Sequence, residues 1–200
     1  MPTETIASVV ASGVVAAPAP AAESAAESAG PVAEHPDRAL LLSGEETGER
    51  VAIHCEATSF DSATADLRCV AALRIRGARI LTSQRLVLTF WPTEPAEPAL
   101  SRLLAFIGNR PLVGYYLDFT VAMLDRLVQP MVGMALPNQR IEVSSLYYGR
   151  KAKTLGKYAV DLRLDSILRE LDLPPRAGED AYASALASAM VYLRLEPPRP

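Results

Sequence analysis

The sequence contains few of the residues that bind transition metals or form disulfides. Its 200 residues include two histidines, His35 and His54, and two cysteines, Cys55 and Cys69. This scarcity excludes a histidine-rich metal site. Both cysteines lie in apolar, strand-like runs, where a free thiol behaves as a small hydrophobic side chain. We therefore expect reduced, buried cysteines rather than a disulfide or a metal-binding pair.

Strong net charge and long apolar runs are absent as well. The formal net charge is −3 and the pI is near 5.5, which leaves only a local basic surface to attract nucleic acid. No run free of charge and proline is long enough to span a membrane, and the start, Met-Pro-Thr-Glu, lacks the basic residues of a secretory signal. The sequence predicts a cytoplasmic protein without membrane contact.

Composition divides the chain into a leader and one domain. Residues 1–45 are rich in Ala, Pro and Ser, and such small or polar side chains bury too little area to offset the entropy lost on ordering. We therefore expect a disordered leader over residues 1–45. Half of all residues are hydrophobic, which is enough to build the core of one domain over residues 46–196.

Periodicity within the domain predicts an α/β fold. Residues 51–58, 69–76 and 80–90 alternate as strands, and Gly77-Ala78 supplies a tight turn between the last two. The remaining predicted elements are a helix at 100–107 ended by Gly108, a buried strand at 111–115, a helix at 119–128 ended by Pro130, a short strand at 141–143, a helix at 164–171 and a final helix from Glu179-Asp180. This order predicts a mixed five-stranded sheet, a three-strand meander followed by alternating helices and strands, flanked by helices.

The first strand carries the most informative polar residues. His54 and Glu56 lie on one face of it, and Ile53 and Cys55 lie on the other. A polar pair two residues apart on a first strand is typical of two-metal nucleases, which have the acidic pattern D-x-E there. Here His54 stands in place of the first acid.

Four stretches carry a resemblance to a known family: residues 52–58, 110–120, 141–148 and the final helix. Together they resemble the DEDDh (DnaQ-like) 3′–5′ exonucleases, the family of the DNA polymerase proofreading subunit, over roughly residues 50–195. The middle stretch, L-V-G-Y-Y-L-D-F-T, looks closest to L-V-G-Y-Y-L-E-F-D of one bacterial branch. The resemblance implies a ribonuclease H-like fold.

The resemblance also implies positions for the catalytic set of the family. Its first two acids fall on His54 and Glu56, its third on Thr120, its histidine on Glu179 and its last acid on Ser184. In the family, these acids hold two divalent metal ions that stabilise the attacking and leaving oxygens of phosphodiester cleavage. Only Glu56 matches, so we expect an inactive pseudo-exonuclease with a binding or regulatory role and no cofactor.

Two alternatives stay open. In a rewired site, Asp118 and Asp180 would join Glu56 and His54 as ligands of Mg²⁺ or Mn²⁺, and the protein would be an active 3′–5′ exonuclease on single-stranded DNA or RNA ends. A structural module would instead use the same face to dock a protein partner.

A basic cluster provides a second candidate surface. It consists of Arg150, Lys151, Lys153 and Lys157, with tyrosines on either side that are able to stack on bases. The alternative is a solvated basic loop without a ligand. The candidate partners are therefore single-stranded nucleic acid, a nucleotide or a protein.

Overall fold

A computed structural model of the chain describes residues 35–43, 48–155 and 160–196, all within one compact unit that begins at Glu34. Most of the predicted leader, together with Lys157, lies outside the described residues. In chain order the elements are α1 (Pro36–Leu42), β1 (Glu49–Ala57), β2 (Leu67–Arg76), β3 (Arg79–Thr89), α2 (Glu97–Ile107), β4 (Leu112–Gly114), α3 (Leu117–Val132), β5 (Arg140–Glu142), α4 (Val143–Leu155), α5 (Leu164–Glu170) and α6 (Ala181–Leu195).

The strands form one mixed sheet in the order β3-β2-β1-β4-β5. The first three strands are an antiparallel meander, β4 runs parallel to β1, and β5 runs parallel to β4. The predicted five-stranded sheet is confirmed. Because β1 and β4 are parallel, their carboxyl ends meet at one edge of the sheet, where α3 begins.

Helices cover both faces of the sheet. Ile53 and Cys55 of β1 belong to the core cluster that includes α2 and α3, and Ala52 belongs to the cluster that includes α5 and α6. Successive side chains of a strand point to opposite faces, so β1 contributes to both clusters. Small buried side chains such as Ala185 and Ser188 allow α6 to lie close to the sheet. No helix among the described residues is long and apolar enough to cross a membrane.

The boundary predicted for the leader is wrong at its carboxyl end. Residues 36–42 form α1, and Leu41 is only 2% exposed, within the core cluster that includes α2 and α3. The run Leu40-Leu41-Leu42 supplies the apolar side chains that the rest of the leader lacks, and Pro36 suits the first turn of a helix.

Two predicted boundaries farther along the chain are also wrong. The helix predicted to end at Pro130 continues to Val132 and stops before Gly133, which has a φ of 75°. Proline lacks an N–H group, but in the last turn this removes only one hydrogen bond. Strand β5 ends at Glu142, and α4, which was not predicted, begins at Val143. Of its described side chains, only Val143 and Tyr147 are buried, so α4 has no apolar stripe.

Candidate functional site

The candidate pocket starts on β1, where His54 and Glu56 project from the same face of the sheet. In the ladder with β2, His54 lies opposite Ala71 and Glu56 lies opposite Cys69. Ala52 of the same face packs against α6. The strand therefore directs both polar side chains towards the layer of helices that contains α6.

The environment of His54 favours the neutral imidazole. Burial lowers the pKa of His54, a hydrogen bond to the backbone carbonyl of Tyr115 opposes that effect, and the positive charge of Arg176 lowers the pKa further. The Nδ1 atom is buried and has no hydrogen-bond partner among the described residues. A neutral ring that donates to a carbonyl offers at most one nitrogen lone pair, at a position where the resemblance predicts a carboxylate.

Thr120, the residue predicted at the position of the third acid, lies in the first turn of α3 and is 1% exposed. Its hydroxyl lies beside the thiol of Cys55, which is on the opposite face of β1 from His54 and Glu56. Burial raises the pKa of Cys55 to about 11, although the contact with Thr120 opposes that effect. Thr120 therefore contributes a buried hydroxyl next to the core and no carboxylate.

The start of α6 brings further predicted residues to the pocket. Asp180 caps the helix, since its Oδ1 accepts a hydrogen bond of 2.7 Å from the backbone N–H of Ala183. Burial raises the pKa of Cys69, and the negative charges of Glu56 and Asp180 raise it further. These two carboxylates therefore lie near the same thiol. Glu179, the residue predicted at the position of the catalytic histidine, is exposed to solvent.

Arg176, which was not predicted, contacts several of these residues. Its Nε and Nη2 atoms donate to the carboxylate of Asp165 at 2.7 and 2.8 Å, and its Nη1 atom donates to Ser184 Oγ at 3.3 Å. Its charge also acts on His54 and Glu179. Arg176 is therefore linked to His54, Glu179 and Ser184, the residues predicted at the positions of the first acid, the catalytic histidine and the last acid of the family.

The donor set of the pocket does not fit two divalent metal ions. Mg²⁺ and Mn²⁺ are held mainly by carboxylate oxygens, but His54 donates to a carbonyl, Ser184 accepts from a guanidinium and Thr120 lies against a thiol. In the part of the chain that the structure describes, no group of three or more His, Cys, Asp and Glu side chains could hold a metal ion.

Asp118, predicted as a ligand of a rewired site, points to a different part of the molecule. Its side chain is 89% exposed, and its Oδ1 atom lies 3.1 Å from Nη1 of Arg140 on β5. Asp180, the other predicted ligand, is occupied by its role as the cap of α6. Asp180 and Glu56 thus share an influence on the pKa of Cys69, whereas Asp118 pairs with Arg140 at the sheet edge.

The described members of the predicted basic cluster, Arg150, Lys151 and Lys153, lie on α4. Lys151 pairs with Glu170 at 2.5 Å, and Arg150 donates to the carbonyl of Arg194 at 3.3 Å. The neighbouring Tyr147 is buried and donates to the same carboxylate of Glu170 at 2.6 Å, while Tyr148 is 52% exposed and Lys153 is exposed. Much of this basic surface is therefore bound within the chain itself.

Phe60, Tyr116 and Phe119 form an exposed aromatic cluster close in sequence to the candidate site residues. The ring of Phe60 lies 6.4 Å from Tyr116 and 6.2 Å from Phe119, and the last two rings stack at 5.7 Å. Phe60 is 85% exposed and Tyr116 is 55% exposed. Tyr116 directly follows Tyr115, which accepts from His54, and Phe119 directly precedes Thr120. The sequence signal for this cluster is that each ring lies within four residues of a predicted site position.

Hydrogen bonds fix the loop that carries Phe60. The backbone N–H of Thr58 donates to the carbonyl of Asp66, and the backbone N–H of Asp66 donates to the hydroxyl of Thr58 at 2.8 Å. The carboxylate of Asp61 accepts two hydrogen bonds from within the loop, and Arg126 of α3 donates to loop carbonyls. A fixed loop loses little further conformational freedom when a ligand binds, so Phe60 is preorganised.

Neither a protein-family model nor a curated protein matches the sequence, but solved structures match the fold. The product-bound structure of exonuclease I superposes with a TM-score of 0.54 at 11% identity, over 76% of this chain and 44% of that chain. The zinc-bound form of the E. coli exonuclease I complex with single-stranded DNA gives a TM-score of 0.53 at 12% identity, over 75% of this chain and 41% of that one. This chain has the fold of the part of exonuclease I that it matches.

The superpositions confirm the ribonuclease H-like, exonuclease fold predicted from the sequence. Apo exonuclease I also matches, with a TM-score of 0.53 at 11% identity, over 76% of this chain and 43% of that chain. The chain thus spans about two fifths of the length of the exonuclease I structures that it matches. At these identities the likeness concerns the fold, and the chemistry has to be argued from the pocket.

Proposed function

We propose that this chain is a DEDDh-family domain that binds single-stranded nucleic acid and does not hydrolyse it. The fold supports the family assignment, and one of the matching structures is a complex of exonuclease I with single-stranded DNA. The observation that carries the proposal is the exposed aromatic cluster, which lies close in sequence to predicted family positions where most of the acids are replaced.

The aromatic cluster suits bases that are not paired. Phe60 and Tyr116 present ring faces and edges to solvent, and stacking of a base on an aromatic side chain contributes about 1–3 kcal/mol whatever the sequence. A base in a duplex is already stacked and paired, so its faces are not available. The cluster therefore favours single strands, and the fixed loop beneath Phe60 supports the binding surface.

Hydrolysis is not expected from these residues. The two-metal mechanism needs several carboxylates that converge on the scissile phosphate. Of the five family positions, only Glu56 carries the family's residue, and the candidate replacements Asp180 and Asp118 cap a helix and pair with Arg140. These contacts favour the non-catalytic proposal over the rewired nuclease. The protein partner and the cytoplasmic location stay predictions.

The test is a combined binding and cleavage assay. A labelled short oligonucleotide, either single-stranded DNA or RNA, is titrated with the protein in the presence of Mg²⁺ or Mn²⁺. Fluorescence anisotropy follows binding, and a denaturing gel follows the length of the strand. We expect saturable binding without shortening, and weaker binding of the matching duplex. No binding of either single strand would contradict the proposal, and shortening that Glu56→Ala abolishes would establish the active nuclease instead.

A further inference from the structure

Arg176 places a permanent positive charge beside Ser184, the residue that the resemblance assigns to the last metal-binding acid of the family. A guanidinium stays protonated at all relevant pH values. Arg176 lies in the loop between α5 and α6, and its side chain is 22% exposed. It contacts Asp165 of α5 and Ser184 of α6. The loop thus fixes a cation between two helices at the position of the family's last acid.

We propose that Arg176 is the resident cation of this pocket: its guanidinium takes the place of the divalent ions and excludes them. The proposal rests on the alignment of His54 and Ser184 with the family's first and last acids, which the proposed function also uses. It does not depend on whether the pocket binds nucleic acid.

The geometry at Ser184 explains the exclusion. Nη1 of Arg176 lies 3.3 Å from Ser184 Oγ, so a carboxylate at this position would meet the guanidinium directly. A metal ion on that carboxylate would sit about 2 Å from its oxygen, within a few ångströms of the positive guanidinium. Two cations at that separation repel strongly in a partly buried site. An acid restored at residue 184 would therefore form an ion pair with Arg176 rather than bind a metal.

The carboxylate of Asp165 keeps the Arg176 guanidinium in this position. Two parallel hydrogen bonds, from Nε and Nη2 to the two carboxylate oxygens, fix both the distance and the plane of the Arg176 group. The neutral state of His54 is consistent with a neighbouring permanent cation, because the charge of Arg176 lowers the pKa of that ring. A neutral imidazole at residue 54 and a hydroxyl at residue 184 both tolerate the guanidinium without a metal.

The test restores acids in two backgrounds. His54→Asp and Ser184→Asp are combined, so that with Glu56 three family acids are present, and this pair is made with either Arg176→Gln or Arg169→Gln. Arg169 is the matched control, because it lines the same cavity but donates to Ser166 Oγ at 3.1 Å. Melting temperatures are measured in EDTA and in Mn²⁺. Circular dichroism checks that each variant is folded.

We expect Mn²⁺ to stabilise only the Arg176→Gln background. The increase in Tm should be about 5–10 °C when Mn²⁺ is about 100-fold above Kd. In the Arg169→Gln background, the new carboxylates pair with Arg176, and the Tm should be the same in EDTA and Mn²⁺. Equal Mn²⁺ shifts in both backgrounds would overturn the proposal, and so would the absence of a shift in both.

A milder variant covers the case in which the combined changes prevent folding. Ser184→Asp alone is compared in the presence of Arg176 and of Arg176→Gln, as a double-mutant cycle. The new carboxylate should lower the Tm more when Arg176 is absent, because it then lacks its counter-charge. An equal change in the two backgrounds would overturn the proposal. A wild-type chain that binds no oligonucleotide would contradict the proposed function but leave this result unaffected.

Discussion

The substitution Phe60→Ala tests the aromatic cluster with little effect on the fold. Phe60 is 85% exposed, and its ring contacts are those with Tyr116 and Phe119, so its truncation should change the free energy of unfolding by less than about 0.5 kcal/mol. Loss of one stacked base costs about 1–3 kcal/mol of binding free energy. With tenfold in Kd for each 1.4 kcal/mol, the affinity for single-stranded DNA should fall by about 5- to 140-fold.

The assay is anisotropy of a labelled single strand at fixed salt, since phosphate contacts make every such affinity depend on ionic strength. Tyr148→Ala is the matched control, because Tyr148 is 52% exposed but lies on α4 beside the basic cluster. We expect no change in Kd for this control. An affinity of Phe60→Ala within twofold of the wild type would refute the role of the aromatic cluster. A larger loss for Tyr148→Ala would move the binding surface to α4.

Three further predictions concern stability. Glu49→Gln should lower the free energy of unfolding, measured in urea, by about 3 kcal/mol, the lower end of the range for a broken buried ion pair. We expect the lower end because the Glu49 carboxylate is 3% exposed and contacts Arg110, but one of its partners, Arg76, is largely exposed. A loss under about 1 kcal/mol would contradict this prediction. The pKa of His54 is lower in the folded chain than its ordinary value of 6.5, so the free energy of unfolding should fall as the pH falls below 6.5. This pH dependence should be absent in His54→Gln, and its persistence there would show that another group causes it. Deletion of residues 1–33 should leave the Tm nearly unchanged. Deletion of residues 1–42 should cost about 2–3 kcal/mol through the loss of buried Leu41, and equal melting of the two truncations would show that α1 adds nothing.

The parts of the fold that the sequence predicts are those with a local apolar pattern. Leu100, Leu103, Leu104 and Ile107 recur at helical spacing and are all buried in α2, and alternation along β1 separates the two faces correctly. Helix α4 lacks such a pattern, because its burial depends on Val143 and Tyr147, one turn apart, against α5 and α6. Tertiary contacts, rather than local periodicity, therefore stabilise it.

The site shows the same division between local and tertiary information. His54 and Glu56 were found because their spacing on one strand is a local pattern. Arg176 was missed because its partner Asp165 lies eleven residues earlier and its loop has no periodicity or motif. The contact with Ser184 exists only once α5 and α6 pack together. No pattern in a single sequence states which side chain such a loop will present to a pocket.

The most direct measurement of the central claim is the affinity for a single-stranded oligonucleotide in EDTA and in Mn²⁺ at matched ionic strength. In a two-metal nuclease the ions bridge carboxylates and the scissile phosphate, so metal and strand bind cooperatively. In this chain the predicted positions of those carboxylates are mostly occupied by neutral side chains, with Arg176 beside them. We predict the same Kd in both conditions and a strand of unchanged length. Tenfold tighter binding in Mn²⁺, with shortening of the strand, would contradict the account.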